Sequence, residues 1–188
     1  MSGQLLNGNQ AKLHLILGRT SIIRLQPSHL PHSPCLIIVD VQNDYVLPSG
    51  ALPCHDAPAI IPHIQSAAHS SFFSAGIYLS ADDKSPAVEG SQPEPGVHQW
   101  PPHCISGSFG AQIHAGLFHD QLTGAVLVSK RLSMSAFGSL AKGEATELRA
   151  MLQQRPPSHA IVCGLALECA ALARAPSIAA HDASAGTV

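Results

Sequence analysis

Residues 35–40 read Cys-Leu-Ile-Ile-Val-Asp, five apolar residues followed at once by a carboxylate. An unbroken apolar run of this length is typical of a strand buried on both faces of a parallel sheet. In open α/β sheets the active-site crevice lies at the carboxyl ends of such strands, which is where Asp40 falls. A second apolar run, residues 160–163, leads into a loop that carries Glu168 and Cys169. The sequence therefore predicts an acid and a thiol at neighbouring strand ends.

Strand-like and helix-like segments alternate along the rest of the chain. Strands are predicted over residues 35–40, 77–80, 125–128 and 160–163, and helices over residues 56–75 and 140–154. Pro62 is expected near the first turn of the first helix, where proline is tolerated. Residues 84–102 are rich in Pro, Gly and Ser and are predicted to form a loop. The alternation predicts an α/β fold, a doubly wound parallel sheet with helices on both faces.

Composition narrows the class of protein. The chain has 188 residues, of which 45% are hydrophobic and 12% charged, so one domain with a real core is expected. The net charge of −2 gives no reason to expect a nucleic-acid partner, and no apolar run approaches the length of a membrane span. Five cysteines without a secretory signal favour reduced thiols and an intracellular protein.

The first 39 residues contain Lys12, Arg19 and Arg24 but no acidic residue. We interpret residues 1–33 as an extension that is either disordered or a targeting segment, and residues 34–188 as the folded domain. The predicted location is the cytoplasm, or an organelle if the extension is a transit peptide.

Three residues with complementary chemistry follow predicted strands: Asp40, Lys130 and Cys169. A thiol is nucleophilic only as the thiolate, and a nearby lysine lowers its pKa. A carboxylate can accept the thiol proton and later return it, so the three residues form a coherent triad for attack on a carbonyl. The alternative is that they are ordinary structural residues, since a buried cysteine is usually a small apolar side chain.

Motifs in a fixed order resemble those of nicotinamidases, within the isochorismatase-like cysteine hydrolase family. The matches to D-x-Q-N-D-F, P-x-G-A-L, W-P-x-H-C, the lysine strand, S-A-F and the entry to the cysteine loop are residues 40–45, 48–52, 100–104, 128–130, 135–137 and 162–166. The resemblance runs from about Pro34 to Cys169 and implies the isochorismatase-like hydrolase fold.

The resemblance also implies roles for these residues. Cys169 matches the nucleophile, Asp40 the proton acceptor and donor, and Lys130 their electrostatic partner. The implied reaction attacks the amide carbon of nicotinamide, releases ammonia and forms a thioester, which water hydrolyses to nicotinate in NAD salvage. Tyr45 and Trp100 match aromatic residues that sandwich the pyridine ring.

The peptide between Leu165 and Ala166 matches a cis bond that shapes the family's oxyanion hole.

The family holds a divalent metal, often zinc, through an Asp-x-His pair and the histidine of W-P-x-H-C, which is His103 here. Alignment on Pro86 places Asp83 and Ser85 in the pair, whereas a shift by one places Asp82 and Lys84 there. In both alignments the histidine of the pair is absent. We take Asp83 and His103 as the predicted zinc ligands, with His55 or His98 as substitutes for the absent histidine.

The chain departs from the family pattern at two further places. The cysteine loop, residues 164–169, is one residue shorter than G-x-A-T-D-Y-C, and only nineteen residues follow Cys169 where the family continues with a helix, a strand and a closing helix. We therefore expect a C-terminally truncated sheet with an uncovered strand edge.

Two alternatives to a nicotinamidase stay open. One is a non-catalytic or weakly active relative that keeps the pocket, and the other is a family hydrolase with another small amide substrate. The expected partner is the small-molecule substrate nicotinamide, and assembly with a second copy of the chain or with an intact homologue stays open.

Overall fold

The computed structural model describes residues 12–15, 33–84, 100–117, 121–130, 136 and 147–165. The strands are β1 (Lys12–Leu15), β2 (Pro34–Val39), β3 (Gly76–Ala81), β4 (Val126–Ser129) and β5 (His159–Gly164). The helices are α1 (Asn43–Val46), α2 (Ala57–Ala68) and α3 (Glu147–Gln154), with a short 3-10 turn at Ala115–Leu117.

The five described strands are parallel and follow the order β1-β5-β2-β3-β4. Every residue of β2 is buried, because β2 lies between β5 and β3 and is covered on both faces. On one face Leu36 and Ile38 share a core with Ile61 and Ile64 of α2. On the other face Ile37 belongs to a second core with α3 residues that include Leu148. The predicted α/β fold with a parallel sheet and helices on both faces is confirmed.

Helix α2 differs from its prediction in two ways: it ends earlier, and Pro62 lies deeper inside it. It begins at Ala57 and ends at Ala68, so the predicted helix over residues 56–75 was too long. Pro62 lies in the helix interior, not in the first turn, and its ring is exposed. After Ala68 the chain leaves the helix, and Phe72 and Phe73 pack edge to face, 5.1 Å apart, on the way to β3.

Strand β1 comes from the segment that was interpreted as an N-terminal extension. It pairs with β5 from Lys12 opposite His159 to Leu15 opposite Val162. Strand β5 therefore has a neighbour on each side, and the uncovered edge expected from the short C-terminal part does not occur at β5. The other residues of 1–32, most of the predicted loop, the first part of the predicted helix over residues 140–154, and residues 166–188 lie outside the described parts.

No helix in the described parts of the chain has the length and apolar character needed to span a bilayer.

Candidate active site

The carboxyl ends of three adjacent strands place two acids around one lysine. Asp40 follows β2, Asp82 follows β3 and Lys130 follows β4. The Lys130 ammonium contacts Asp40 Oδ2 and lies 2.5 Å from Asp82 Oδ1. The lysine side chain is only 2% exposed, so these ion pairs are shielded from water. The structure thus brings two of the three predicted catalytic residues, Asp40 and Lys130, into direct contact.

The backbone at Asp40 turns sharply at the end of β2. Its φ of 52° lies in the left-handed region, which is uncommon for a residue with a side chain and recurs at functional sites. The Asp40 N–H donates to the Ser80 carbonyl at 3.0 Å, and the Ser80 hydroxyl donates to Asp40 Oδ1 at 2.8 Å. Both carboxylate oxygens are therefore engaged, one by Ser80 and the other by Lys130.

The entry to the cysteine loop lies beside the residue that precedes Asp40. Gly164 at the end of β5 has a φ of 133°, and a Cβ there would come within 2.1 Å of the Val39 carbonyl oxygen. The next residue, Leu165, is buried and donates its N–H to the same carbonyl at 2.9 Å. The chain therefore turns from β5 into the cysteine loop directly against the end of β2. Ala166, Glu168 and Cys169 lie outside the described residues.

Asp82 is the acid that faces the site from β3. The Tyr45 hydroxyl donates to its Oδ2 at 2.5 Å, and the Lys84 ammonium lies 3.4 Å from the same oxygen. The Gln42 side chain fixes the backbone of Asp82 with two hydrogen bonds. Its Nε2 donates to the Asp82 carbonyl at 2.7 Å, and its Oε1 accepts from the Asp82 N–H at 2.8 Å. Burial opposes ionisation of Asp82, but the charges of Lys130 and Lys84 outweigh it and hold the pKa of Asp82 below its usual range.

Asp83, which was predicted as a metal ligand, is placed differently. Its Oδ2 accepts a hydrogen bond of 3.0 Å from the exposed Ser129 hydroxyl beside β4. The structure therefore gathers Asp82 and Lys84 with His103, as in the second of the two alignments, and leaves Asp83 beside Ser129.

His103 is buried and its ring is oriented by two contacts. Its Nδ1 donates to the Pro101 carbonyl at 2.6 Å, so Nε2 is the acceptor and receives the Lys84 ammonium. Burial lowers the pKa of His103, which favours the neutral ring that this arrangement requires. The Tyr45 ring packs edge-on against the imidazole with centroids 5.5 Å apart.

Backbone hydrogen bonds of Lys84 hold it beside the segment that follows His103. The Lys84 N–H donates to the Cys104 carbonyl at 3.0 Å, and the Ser106 N–H donates to the Lys84 carbonyl at 2.8 Å. These bonds hold Lys84 alongside Ile105 as an isolated parallel bridge. The lysine side chain is 26% exposed, so it reaches the site from the rim.

The second half of the motif at residues 40–45 has a structural role that sequence reasoning missed. Asp44 accepts from the Ala51 N–H at 3.0 Å and from the Cys104 N–H at 2.7 Å, and so joins residues 48–52 to residues 100–104. A Cβ on Gly110 would lie 2.2 Å from Asp44 Oδ2, which explains a glycine there. Asn43 donates to the Phe109 carbonyl at 2.9 Å. In the sequence, only the fixed order of the motifs indicated that these segments contact one another.

The predicted aromatic pair is described in part. Tyr45 is buried, and burial together with the Asp82 charge raises its pKa, so it stays a neutral hydroxyl donor. Trp100 is half-buried at the start of the described residues 100–117.

Three of the four described cysteines have the character of packing residues. Cys35 and Cys104 are fully buried, and burial raises the pKa of each thiol to about 12. Burial also raises the pKa of Cys163 to about 12. Protonated thiols are poor nucleophiles, so none of these three is suited to covalent chemistry at neutral pH.

A family model for the isochorismatase domain matches residues 34–184. The chain belongs to the isochorismatase family. Among solved structures, PnC1 from L. infantum in complex with nicotinate is 31% identical with a TM-score of 0.60, over 73% of this chain and 70% of that one. A nicotinamidase/pyrazinamidase of Acinetobacter baumanii is 28% identical with a TM-score of 0.60, over 76% and 75%. The predicted family and enzyme class, an isochorismatase-like hydrolase, are confirmed.

A third solved structure bears on the metal. The pyrazinamidase of Pyrococcus horikoshii in complex with zinc is 25% identical with a TM-score of 0.59, over 79% of this chain and 80% of that one. No curated protein sequence matches the chain significantly.

The isochorismatase family resemblance implies a divalent metal, but the residues present do not fit one. Within the described ranges no three His, Cys, Asp or Glu side chains cluster as a metal site. Asp82 and His103 both contact Lys84, whose ammonium lies where a shared cation would lie. At 4 Å a dication and an ammonium repel each other by about 8 kcal/mol in protein-like surroundings. Of the suggested substitutes, His55 pairs with Asp56 at the surface and His98 lies outside the described residues.

Proposed function

We propose that this isochorismatase-family chain is a nicotinamidase-like amidohydrolase that converts nicotinamide to nicotinate and ammonia. The observation that supports it best is the buried Asp40–Lys130 pair at the strand ends, directly beside the entry to the cysteine loop. The 31% identity to PnC1, which was solved with nicotinate, supports the choice of substrate.

In the proposed mechanism Cys169 is the nucleophile, four residues beyond Leu165. Its thiol proton passes to the Asp40 carboxylate as sulfur attacks the amide carbon, and the proton is then given to the leaving nitrogen, which departs as ammonia. Water, losing a proton to Asp40, next attacks the thioester carbonyl. Collapse releases nicotinate and returns the proton to the sulfur.

Lys130 and Ser80 are assigned to orient Asp40 for this work. Together they engage both carboxylate oxygens, so Asp40 keeps one rotamer as a proton reaches and leaves it. The Lys130 charge also favours the thiolate over the thiol near Asp40. Tyr45 and Trp100 are assigned to the pyridine ring. The backbone N–H groups that follow Leu165 in the cysteine loop, that of Ala166 first, are assigned to the oxyanion, since the Leu165 N–H itself donates to the Val39 carbonyl.

In this proposal the protein acts inside the cell and supplies nicotinate for pyridine-nucleotide salvage. It includes no step through a metal, because Asp82, His103 and Lys84 do not form a metal site.

Ammonia release from nicotinamide by the purified full chain tests the proposal. Cys169→Ala is expected to abolish turnover and Asp40→Asn to lower kcat by at least about a hundredfold, since each removes a reacting group. Cys54→Ser, at a half-buried cysteine outside the proposed machinery, is the matched control and should retain activity. Turnover that survives Cys169→Ala would contradict the mechanism.

A second candidate function is a pocket-retaining relative with little or no turnover. The observation that favours it is the lysine in place of the family histidine, beside His103. A thiol-reactive nicotinaldehyde-type probe with mass spectrometry separates the two candidates. Selective labelling of Cys169 supports a competent nucleophile, and its absence in a folded protein supports the second candidate. Turnover across a series of small amides identifies a different amide substrate.

A further inference from the structure

We propose that the Lys84 ammonium is the resident cation of this site and takes the place of a divalent metal ion. The inference concerns the cation alone and does not depend on which amide is the substrate.

The position of the ammonium carries the inference. Lys84 Nζ contacts His103 Nε2 and lies 3.4 Å from Asp82 Oδ2, so it is shared by a histidine nitrogen and a carboxylate oxygen. Both donor types also bind zinc in proteins. The ammonium thus occupies the point from which an ion would contact both.

The donor atoms that an ion would need are already engaged. Asp82 Oδ1 receives Lys130, and Oδ2 receives both the Tyr45 hydroxyl and Lys84. His103 Nδ1 is turned to the Pro101 carbonyl, which leaves only Nε2 for a cation, and Nε2 already contacts Lys84. An incoming ion would have to displace the ammonium from both partners.

The charges among the described groups also balance without a metal. Asp40 and Asp82 contribute two negative charges, and Lys130 and Lys84 contribute two positive charges in one connected cluster. His103 and Tyr45 are neutral in the arrangement described above. A divalent ion would leave this buried cluster with an excess of positive charge, which burial penalises.

The backbone shows that the position of Lys84 is built into the fold. Hydrogen bonds to Cys104 and from Ser106 fix Lys84 beside His103, and the Gln42 side chain fixes Asp82. The ammonium therefore reaches its partners from a backbone held on both sides of the contact.

The test measures zinc in four purified full-length proteins: wild type, His103→Ala, Lys84→His and the double variant. All are expressed with added zinc, passed through gel filtration and analysed by mass spectrometry of the metal. Wild type and His103→Ala should hold the same amount of zinc, because neither has a metal site here. Lys84→His should hold about one more zinc per chain than the double variant, since it restores a third ligand.

Thermal unfolding gives a second readout that needs no activity. Excess zinc should raise the Tm of Lys84→His, because a ligand that binds the folded state stabilises it. The change in Tm that zinc causes should be no larger for wild type than for His103→Ala. About one zinc per wild-type chain that disappears in His103→Ala would overturn the proposal. A folded Lys84→His protein that gains no zinc would overturn it too. If Lys84→His does not fold, the comparison of wild type with His103→Ala decides alone. None of these measurements uses nicotinamide, so they can fail or succeed independently of the proposed reaction.

Discussion

Tyr45 lies where the isochorismatase family motif has phenylalanine, and its hydroxyl gives Asp82 a donor that phenylalanine lacks. Because the acceptor is a buried carboxylate, Tyr45→Phe is expected to lower the free energy of unfolding by about 1.5–3 kcal/mol. Tyr78→Phe is the matched control, since its hydroxyl lies 3.4 Å from the Ala75 carbonyl and should contribute less than about 1 kcal/mol. Urea denaturation of both variants measures the difference, and equal losses would contradict the role given to Tyr45.

Cys35 tests whether the buried thiols are inert. Because burial raises its pKa to about 12, only about one chain in 10⁴ carries the thiolate at pH 8. Iodoacetamide at pH 8 should therefore leave Cys35 unmodified in the folded protein, while the half-buried Cys54 reacts faster. In urea both cysteines should react at similar rates. Equal labelling in the native state, read by peptide mass spectrometry, would show that Cys35 is accessible.

At the scale of the element, Lys130 joins three strands, since it follows β4 and pairs with the acids that follow β2 and β3. Lys130→Met would leave Asp40 and Asp82 without their shared cation and is expected to lower the free energy of unfolding by about 3–5 kcal/mol. Arg155→Met is the control, because Arg155 makes an exposed hydrogen bond to the Ser74 carbonyl and should contribute less than about 1 kcal/mol. A loss no larger than that of the control would show that the ion pairs contribute little.

Gly164 sets how closely β5 approaches the end of β2. Its positive φ and the 2.1 Å approach of a Cβ to the Val39 carbonyl mean that Gly164→Ala must move one of the two strands. A loss of at least about 3 kcal/mol is expected from strain and displaced packing. Gly124→Ala has a positive φ but open space around its Cβ, so it should lose only about 1 kcal/mol. Denaturation curves for the pair separate crowding from backbone preference, and similar losses would argue against crowding at Gly164.

Strands β2 to β5 were predictable to within one residue at each end, because each is an apolar run with few alternatives. The end of α2 could not be predicted, because apolar residues continue through Phe72 and Phe73 after the helix has ended. Those rings pack in the connection to β3, and a periodic pattern cannot distinguish that from another helical turn.

For the candidate site, the strand-end rule and the family motifs predicted Asp40 and Lys130, and the structure places them in contact. The choice between Asp82 and Asp83 could not be made from the motif, because a shift of one residue reverses the side of the chain from which a side chain projects. It depends on Gln42, forty residues away, whose side chain holds the backbone of Asp82.

At the scale of the whole molecule, the sheet includes a strand that no local pattern indicated. Strand β1 is four residues long and, among the described strands, pairs with β5 alone, so its place depends on a contact between segments far apart in sequence. It changes the interpretation of residues 1–33, because part of that segment belongs to the same sheet as the candidate site. Strand β5, which leads into the cysteine loop, is thereby an interior strand.

Deletion of residues 1–32 tests this arrangement against deletion of residues 1–11, which leaves β1 in place. Loss of β1 would expose the backbone N–H and C=O groups along the outer side of β5, and four residues of ladder contribute about 2–4 kcal/mol. The longer deletion should therefore lower Tm and give a mass by light scattering that rises with concentration, because an open edge pairs with another chain. The shorter deletion should remain like the full chain in both measurements. If the two deletions behave alike, β1 does not protect β5; if only the longer one associates, the N-terminal segment stabilises the strand on which the cysteine loop depends.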